Sequence, residues 1–180
     1  MKKDLKNMLF TPEAVIIIGT YDKNGVPNAM NAAWAIQTDY SELTVSLASH
    51  KTTDNLQETG EFTVAFATKE TEKIADYFGV ETGRKVNKIE KAGVHVTKAP
   101  HVNAPVIEEF PVVLECKVKS FEDGILTGEV VNTMADESVL TDGKVDFDKM
   151  HPIIFDASMN KYRVIGEVVG NAFHDGLELK

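Results

Sequence analysis

Short apolar stretches at close spacing, punctuated by turn residues, set the rhythm of the chain. Val15-Ile16-Ile17-Ile18 is a β-branched run that stops at Gly19, and Asp22-Lys23-Asn24-Gly25 has the chemistry of a tight turn, so a hairpin is predicted. Its second strand is expected over 27–37. It carries no bulky side chain until Met30 and Trp34, which implies that something else approaches its backbone. Leu43, Val45 and Leu47 alternate with Thr44 and Ser46, the period of a strand with one apolar face. A short helix is predicted over 53–58, ended by Gly60, and a strand over 62–66. Ile74, Tyr77 and Phe78 fall at helical spacing over 70–78, and the charged segment 81–88 leads toward a second short helix. Beyond Pro100, Pro105 and Pro111, the residues Val112, Leu114, Cys116 and Val118 alternate with Val113, Glu115, Lys117 and Lys119. Asp123-Gly124 turns that strand back into 125–134, where Leu126, Gly128, Val130 and Asn132 are expected on one face. Shorter extended pieces are expected over 151–155 and 162–166. Many short strands with two or three inserted helices indicate a mainly β chain and an antiparallel barrel rather than a doubly wound sheet.

At 180 residues the chain is read as a single domain over 1–180, long enough to bury roughly 70% of its unfolded surface. The lone Cys116 permits no intramolecular disulfide, and its apolar strand neighbours suggest a buried, inert thiol. The basic start and following apolar run are broken by Pro12 and Glu13 without a small-residue cleavage site, and no apolar stretch nears the roughly 20 residues of a membrane span. A soluble, cytoplasmic protein with no membrane partner is expected. The formal charge of −9, from 28 acidic and 19 basic residues, comes without any dense basic block, which argues against nucleic acid. A local cradle of N–H groups and one or two cations still suits an anion at close range. The five histidines form no HExxH-like pair and thiolates are lacking, so no metal site is expected. Neither GxSxG nor a strand–GxGxxG–helix pattern is present, and no side chain is assigned a catalytic role.

Two segments carry candidate chemistry. The polar knot Ser49-His50-Lys51-Thr52-Thr53 stands between a strand and a helix, where free N–H groups, hydroxyls and a lysine suit a phosphate. Thr52 is placed as the N-cap; the alternative is an ordinary capped helix with Lys51 in solvent. Upstream, Asn28-Ala29-Met30-Asn31-Ala32-Ala33-Trp34 combines amides, small side chains and the only tryptophan. Trp34 either stacks on a flat ring or fills the core. Arg84 and Lys88, four apart, share a face if they lie on one helix and then reach one anionic ligand; otherwise they are solvated surface charges.

Taken in order, GTYDKNGVPNAMNAAWAIQ, VSLASHKTTDNLQETGEFTVAF, ADYFGVETGRKVNKIEKAGV, NAPVIEEFPVVLECKV and GEVVN resemble the flavin reductase-like family of FMN-binding split barrels, in particular its flavoredoxin branch, over about residues 12–166. The resemblance implies a Greek-key split barrel, a homodimer, and one FMN per subunit near the dimer interface. It also implies redox chemistry carried by FMN, with NADH, NADPH or a redox protein as donor and a flavin, a ferric complex or a partner protein as acceptor. A non-catalytic FMN-binding barrel is the alternative. Asn28, Ala32, Ala33 and Trp34 match positions lining the flavin ring, and Ser49, Lys51, Thr52 and Thr53, with His50 among them, match the phosphate turn. Gly83, Arg84 and Lys88 match a loop and helix that close over the cofactor, and Tyr162 an aromatic position near the ring. Ala65 and Asn132 stand where the family usually has Asn and His. An amide at 132 cannot titrate near neutral pH as an imidazole would.

Overall fold

The computed structural model describes residues 2–4 and 10–180. In chain order the strands are β1 (Glu13–Ala14), β2 (Ile16–Tyr21), β3 (Pro27–Ala32), β4 (Ala35–Asp39), β5 (Glu42–Ser46), β6 (Glu61–Phe66), β7 (Val96–Lys98), β8 (Pro105–Ile107), β9 (Val112–Glu122), β10 (Ile125–Ala135), β11 (Leu140–Thr141), β12 (Lys144–Val145), β13 (Ile153–Asp156) and β14 (Lys161–Val164). The α-helices are α1 (Lys51–Thr59), α2 (Glu72–Val80), α3 (Lys88–Ala92) and α4 (Phe147–Met150). Seven strands pair antiparallel in the order β3-β2-β6-β9-β10-β5-β4, and the sheet curls into a split barrel. The predicted antiparallel barrel is therefore the observed one.

Alternation in β2 explains the two cores. Ile16 and Ile18 point to the inner face, with Val45, Phe62, Val64, Leu126 and Leu56 of α1. Val15 and Ile17 point to the outer face, covered by Phe78 of α2 and Ile89 of α3. The small sheet β1-β13-β14 lies beside this outer layer, with Phe155 and Tyr162 packed against it. Gly128 on the inner face leaves room for Phe62, since a Cβ there would come within 2.4 Å of its Cζ.

Three predicted elements change. The strand over 27–37 breaks at Ala33-Trp34, because β3 and β4 are opposite edges of the sheet and the chain must cross from one to the other. The small Ala32 and Ala33 give no steric resistance to that crossing, and the Trp34 carbonyl accepts from Ser46 N at 2.9 Å as the new pairing begins. The helix over 70–78 starts only at Glu72, since Thr68 N donates to Thr71 Oγ1 in a preceding turn. In β10 a register shift between Val130 and Asn132 pairs Val130 with Cys116 but Asn132 with Glu115. That bulge leaves Leu126, Gly128 and Val130 on the inner side and turns Asn132 to the other face, so the expected four-residue face loses its last member.

Gly19 makes a further close approach. Thr63 Oγ1 donates to the Pro105 carbonyl at 2.6 Å, docking β8 on the sheet, and a Cβ on Gly19 would lie 2.5 Å from that hydroxyl oxygen and 2.9 Å from that carbonyl oxygen. Gly19→Ala is expected to lower stability by about 1–3 kcal/mol through overpacking. The midpoint of urea unfolding measures this, and an unchanged midpoint would show that β8 yields freely.

Candidate functional site

The free edge of β3 organises the site. α1 packs on one face of the sheet beside this edge, while α2 and α3 pack on the other, so a cleft runs along the edge between them. Asn28, Met30 and Asn31 form its strand wall; His50, Lys51 and Thr52 come from the start of α1. Phe78, Gly79, Glu81, Thr82, Gly83 and Lys88 come from α2, α3 and the loop between them. The volume is about 90 Å³, roughly three waters or one phosphate-sized group.

Local sequence explains how α1 begins. His50 is the N-cap, not Thr52. His50 N donates to Thr53 Oγ1 at 2.9 Å and Thr53 Oγ1 donates back to the His50 carbonyl at 2.8 Å, so Thr53 closes the first turn and leaves the cleft lining. The first backbone bond of the helix runs from Asp54 N to the His50 carbonyl, leaving the N–H groups of Lys51 and Thr52 ahead of it. Buried Thr52 instead accepts from Asn28 Nδ2 at 2.8 Å. With its oxygen satisfied, its own O–H remains a donor for a ligand. Lys51 Nζ stands 3.7 Å from Asp22 of the β2–β3 turn.

Arg84 and Lys88 do not share a helical face. Arg84 lies in the loop before α3 and Lys88 is the first residue of α3, capped by Asn87, whose side chain accepts from Glu90 N. Exposed Arg84 forks onto Asp54 and also reaches Ser49, which keeps Ser49 beside the cleft rather than in it. Lys88 is only 4% exposed. Its ammonium donates to the Phe78 carbonyl at 2.9 Å and lies 5.9 Å from the Phe78 ring centroid. Among the described residues no carboxylate lies within 4.0 Å of it. Burial pulls Lys88 down to about 8, against a smaller opposing effect of Glu81. Burial, Lys88 and Arg84 also lower His50, with Asp54 opposing. An anion in the cleft would relieve both groups.

The remaining predicted residues fall elsewhere along or beyond β3. Ala32 and Ala33 lead to Trp34, which is 67% exposed, so the core alternative for Trp34 is wrong. It lies on an open apolar shelf with Phe10, Ile36 and Ile125. Tyr162 sits on β14; its hydroxyl donates to Asp76 Oδ1 of α2 at 2.8 Å, and burial with that carboxylate pushes the phenol up to about 12. Asn31 connects the two regions, lining the cleft while its Nδ2 donates to the Ala75 carbonyl at 2.9 Å. Asn132 is separate. Four strand steps from β3, its Nδ2 donates to Oε1 of fully buried Glu115 at 2.7 Å, and His101 N donates to Oε2 at 2.7 Å. Ala65 is a core residue in the same cluster as Ile17 and Val113.

Several contributors were not singled out from sequence. Asp54, the partner of Arg84, reads as an ordinary surface acid, and Asp22, the partner of Lys51, reads only as a turn residue. Gly79 could have been suspected, because a glycine inside a helical pattern often marks a close approach; a Cβ there would lie 3.3 Å from Asn31 Cβ.

The open strand edge of the split barrel is thus lined by a helix start, threonine hydroxyls and a buried ammonium that has no carboxylate partner among the described residues. The model of the flavin reductase like domain matches residues 8–155, and the chain belongs to that family. Similar solved structures include the flavoredoxin of Desulfovibrio vulgaris (Miyazaki F), with a TM-score of 0.94 and 34% identity, over 98% of this chain and 100% of that one. Flavoredoxin from Methanosarcina acetivorans matches with a TM-score of 0.90 and 29% identity, over 100% of this chain and 99% of that one. An uncharacterized protein of Archaeoglobus fulgidus is 30% identical over 171 residues, 89% of this chain and 93% of its own length.

The buried ammonium gives a pH test. Native Lys88 releases its proton near 8, whereas the unfolded chain holds it to about 10.5, so its desolvation cost is full below pH 8 and fades as pH rises toward 10.5. Lys88→Met should therefore stabilise the flavin-free protein by roughly 1–3 kcal/mol at pH 7, with a smaller gain at pH 10. Urea midpoints of both proteins at the two pH values decide the matter; a gain independent of pH would assign it to packing.

Proposed function

We propose that this protein is an FMN-binding oxidoreductase of the flavin reductase or flavoredoxin type. The carrying observation is the cleft itself: a buried lysine, without a carboxylate partner among the described residues, faces the start of α1, where the leading N–H groups of the helix, the Thr52 hydroxyl and Lys51 lie together. These are the partners of a phosphate monoester. The full-length similarity to two flavoredoxins supports the choice of FMN as the molecule that carries it.

The phosphate binds at His50, Lys51 and Thr52, with Lys88 across the cleft. The cleft is too small for a flavin ring, so the ring lies further along β3, toward Asn31, Ala32, Ala33 and Trp34. The small side chains of Ala32 and Ala33 leave the backbone open there. FMN, when bound, supplies reversible two-electron chemistry and accepts hydride from a nicotinamide or electrons from a redox protein. The protein's part is to bind, orient and leave one ring face open. The exposed apolar residues Trp34, Ile36 and Tyr40 along the β4 edge support a homodimer that covers this surface.

The visible spectrum of purified protein is the first test: yellow protein, or colourless protein that turns yellow on uptake of FMN, is expected, and failure to take up FMN would overturn the reading. Lys51→Ala with Thr52→Ala should weaken FMN about a hundredfold, through loss of charged hydrogen bonds together worth about 3 kcal/mol, and leave riboflavin nearly unaffected. Equal losses for the two flavins would remove the phosphate from this site. Anaerobic mixing with NADH or NADPH should bleach the bound flavin, and a flavin untouched by either would shift the donor to a redox protein.

A further inference from the structure

We propose that Asp54 is a positioning residue that clasps Arg84 across the mouth of the cleft, and that this clasp sets how fast a phosphate-bearing flavin leaves. The inference rests on the FMN reading above and adds to it a residue with no assigned role. Arg84 Nε donates to Asp54 Oδ2 at 3.1 Å, Arg84 Nη2 donates to Asp54 Oδ1 at 2.9 Å, and the same nitrogen donates to Ser49 Oγ at 3.0 Å. This is the two-pronged geometry in which guanidinium and carboxylate hold each other in a fixed orientation.

The clasp has no substitute in the loop that it holds. Lys85 N and Val86 N both donate to the Thr82 carbonyl, Arg84 N donates to Thr82 Oγ1, and Thr82 N donates to Glu81 Oε1. All of these bonds stay within the turn. Among the described residues, Arg84 makes the only side-chain or backbone hydrogen bonds from 82–86 to another part of the fold. The far side of the clasp is fixed, because α1 is anchored by buried Leu56 and by Asn55 Nδ2 donating to Thr20 Oγ1 at 2.9 Å. With the clasp shut, Gly83 rests on the cleft floor: a Cβ on it would lie 2.1 Å from Asn28 Oδ1 and 3.4 Å from Lys51 Cβ. The bonds to the carboxylate also occupy Arg84, so the phosphate is left to His50, Lys51, Thr52 and Lys88. The loop is thus a cover closed by one exposed ion pair, whose strength is modest and depends on salt.

The alternative is that Arg84 abandons Asp54 and ligates the phosphate, and the two readings predict opposite signs. Asp54→Asn keeps the side-chain shape but weakens the clasp. FMN should then dissociate from the holoprotein two- to fivefold faster than from wild type in stopped-flow displacement, with the difference disappearing near 1 M salt. If Arg84 is instead a phosphate ligand, the same substitution frees it and removes a nearby negative charge, so FMN leaves more slowly. That result, or an unchanged rate, overturns the proposal. Arg84→Gln, which breaks the clasp from the other side, should accelerate release equally, and the double variant should add nothing further. Hydrogen exchange of the 82–86 amides in flavin-free protein should be faster in Asp54→Asn, and equal exchange rates would overturn the clasp whatever flavin does. If wild-type protein takes up no FMN, the functional reading falls while the exchange measurement still decides the clasp.

Discussion

An edge strand presents a row of unpaired backbone groups, and a folded protein has to do something with them. At β3 the solution is to place helices on both faces and leave the edge itself open. Nearly every feature of the site follows. Asn28 and Asn31 project to opposite faces of the strand, so one bonds to Thr52 of α1 and the other to Ala75 of α2. The same strand therefore fixes both walls of the cleft relative to its own backbone. Asn28, Met30 and Asn31 line the cleft, while the small Ala29 between them is fully buried in the core.

Electrostatics refines this geometry against the grain of the whole molecule. The chain carries a formal charge of −9, yet the cleft gathers Lys51 and Lys88 against one acid, Glu81, with Arg84 at its rim. Lys51 has Asp22 and Arg84 has Asp54 as counter-ions. Among the described residues, Lys88 has only a carbonyl oxygen and the face of Phe78. Paired cations at the rim and a bare one inside make a steep local gradient, which favours an anion that can enter fully over one that stops at the surface.

Much of this was legible in the sequence where local chemistry decides structure. Asp22-Lys23-Asn24-Gly25 dictates its turn, and a polar knot after an alternating strand announces a helix start. Of the residues the family resemblance matched, Asn28, His50, Lys51, Thr52, Gly83 and Lys88 line the cleft. Placement of single side chains was harder. One extra residue in β10 sends Asn132 to the opposite face, and period-two reasoning has no way to see a bulge. Trp34 reads from sequence as either stacking on a flat ring or filling the core, and the break that exposes it arises from the need to cross between sheet edges. Arg84 and Lys88 fit a helical spacing that the loop between them and Asn87 interrupts. Asp54 carries no local signal, since its partner is 30 residues away in the sequence.

The buried end of β9 has a consequence for durability. Cys116 is fully enclosed, and burial together with the neighbouring Glu115 carboxylate pushes its thiol up to about 12. At pH 7 the reactive thiolate is therefore strongly disfavoured. Peroxide attacks a cysteine through its thiolate, and this chain has a single sulfhydryl. Here that sulfur is both walled off and held in its least nucleophilic form, so an oxidant in solution would leave no mark on the scaffold at this position.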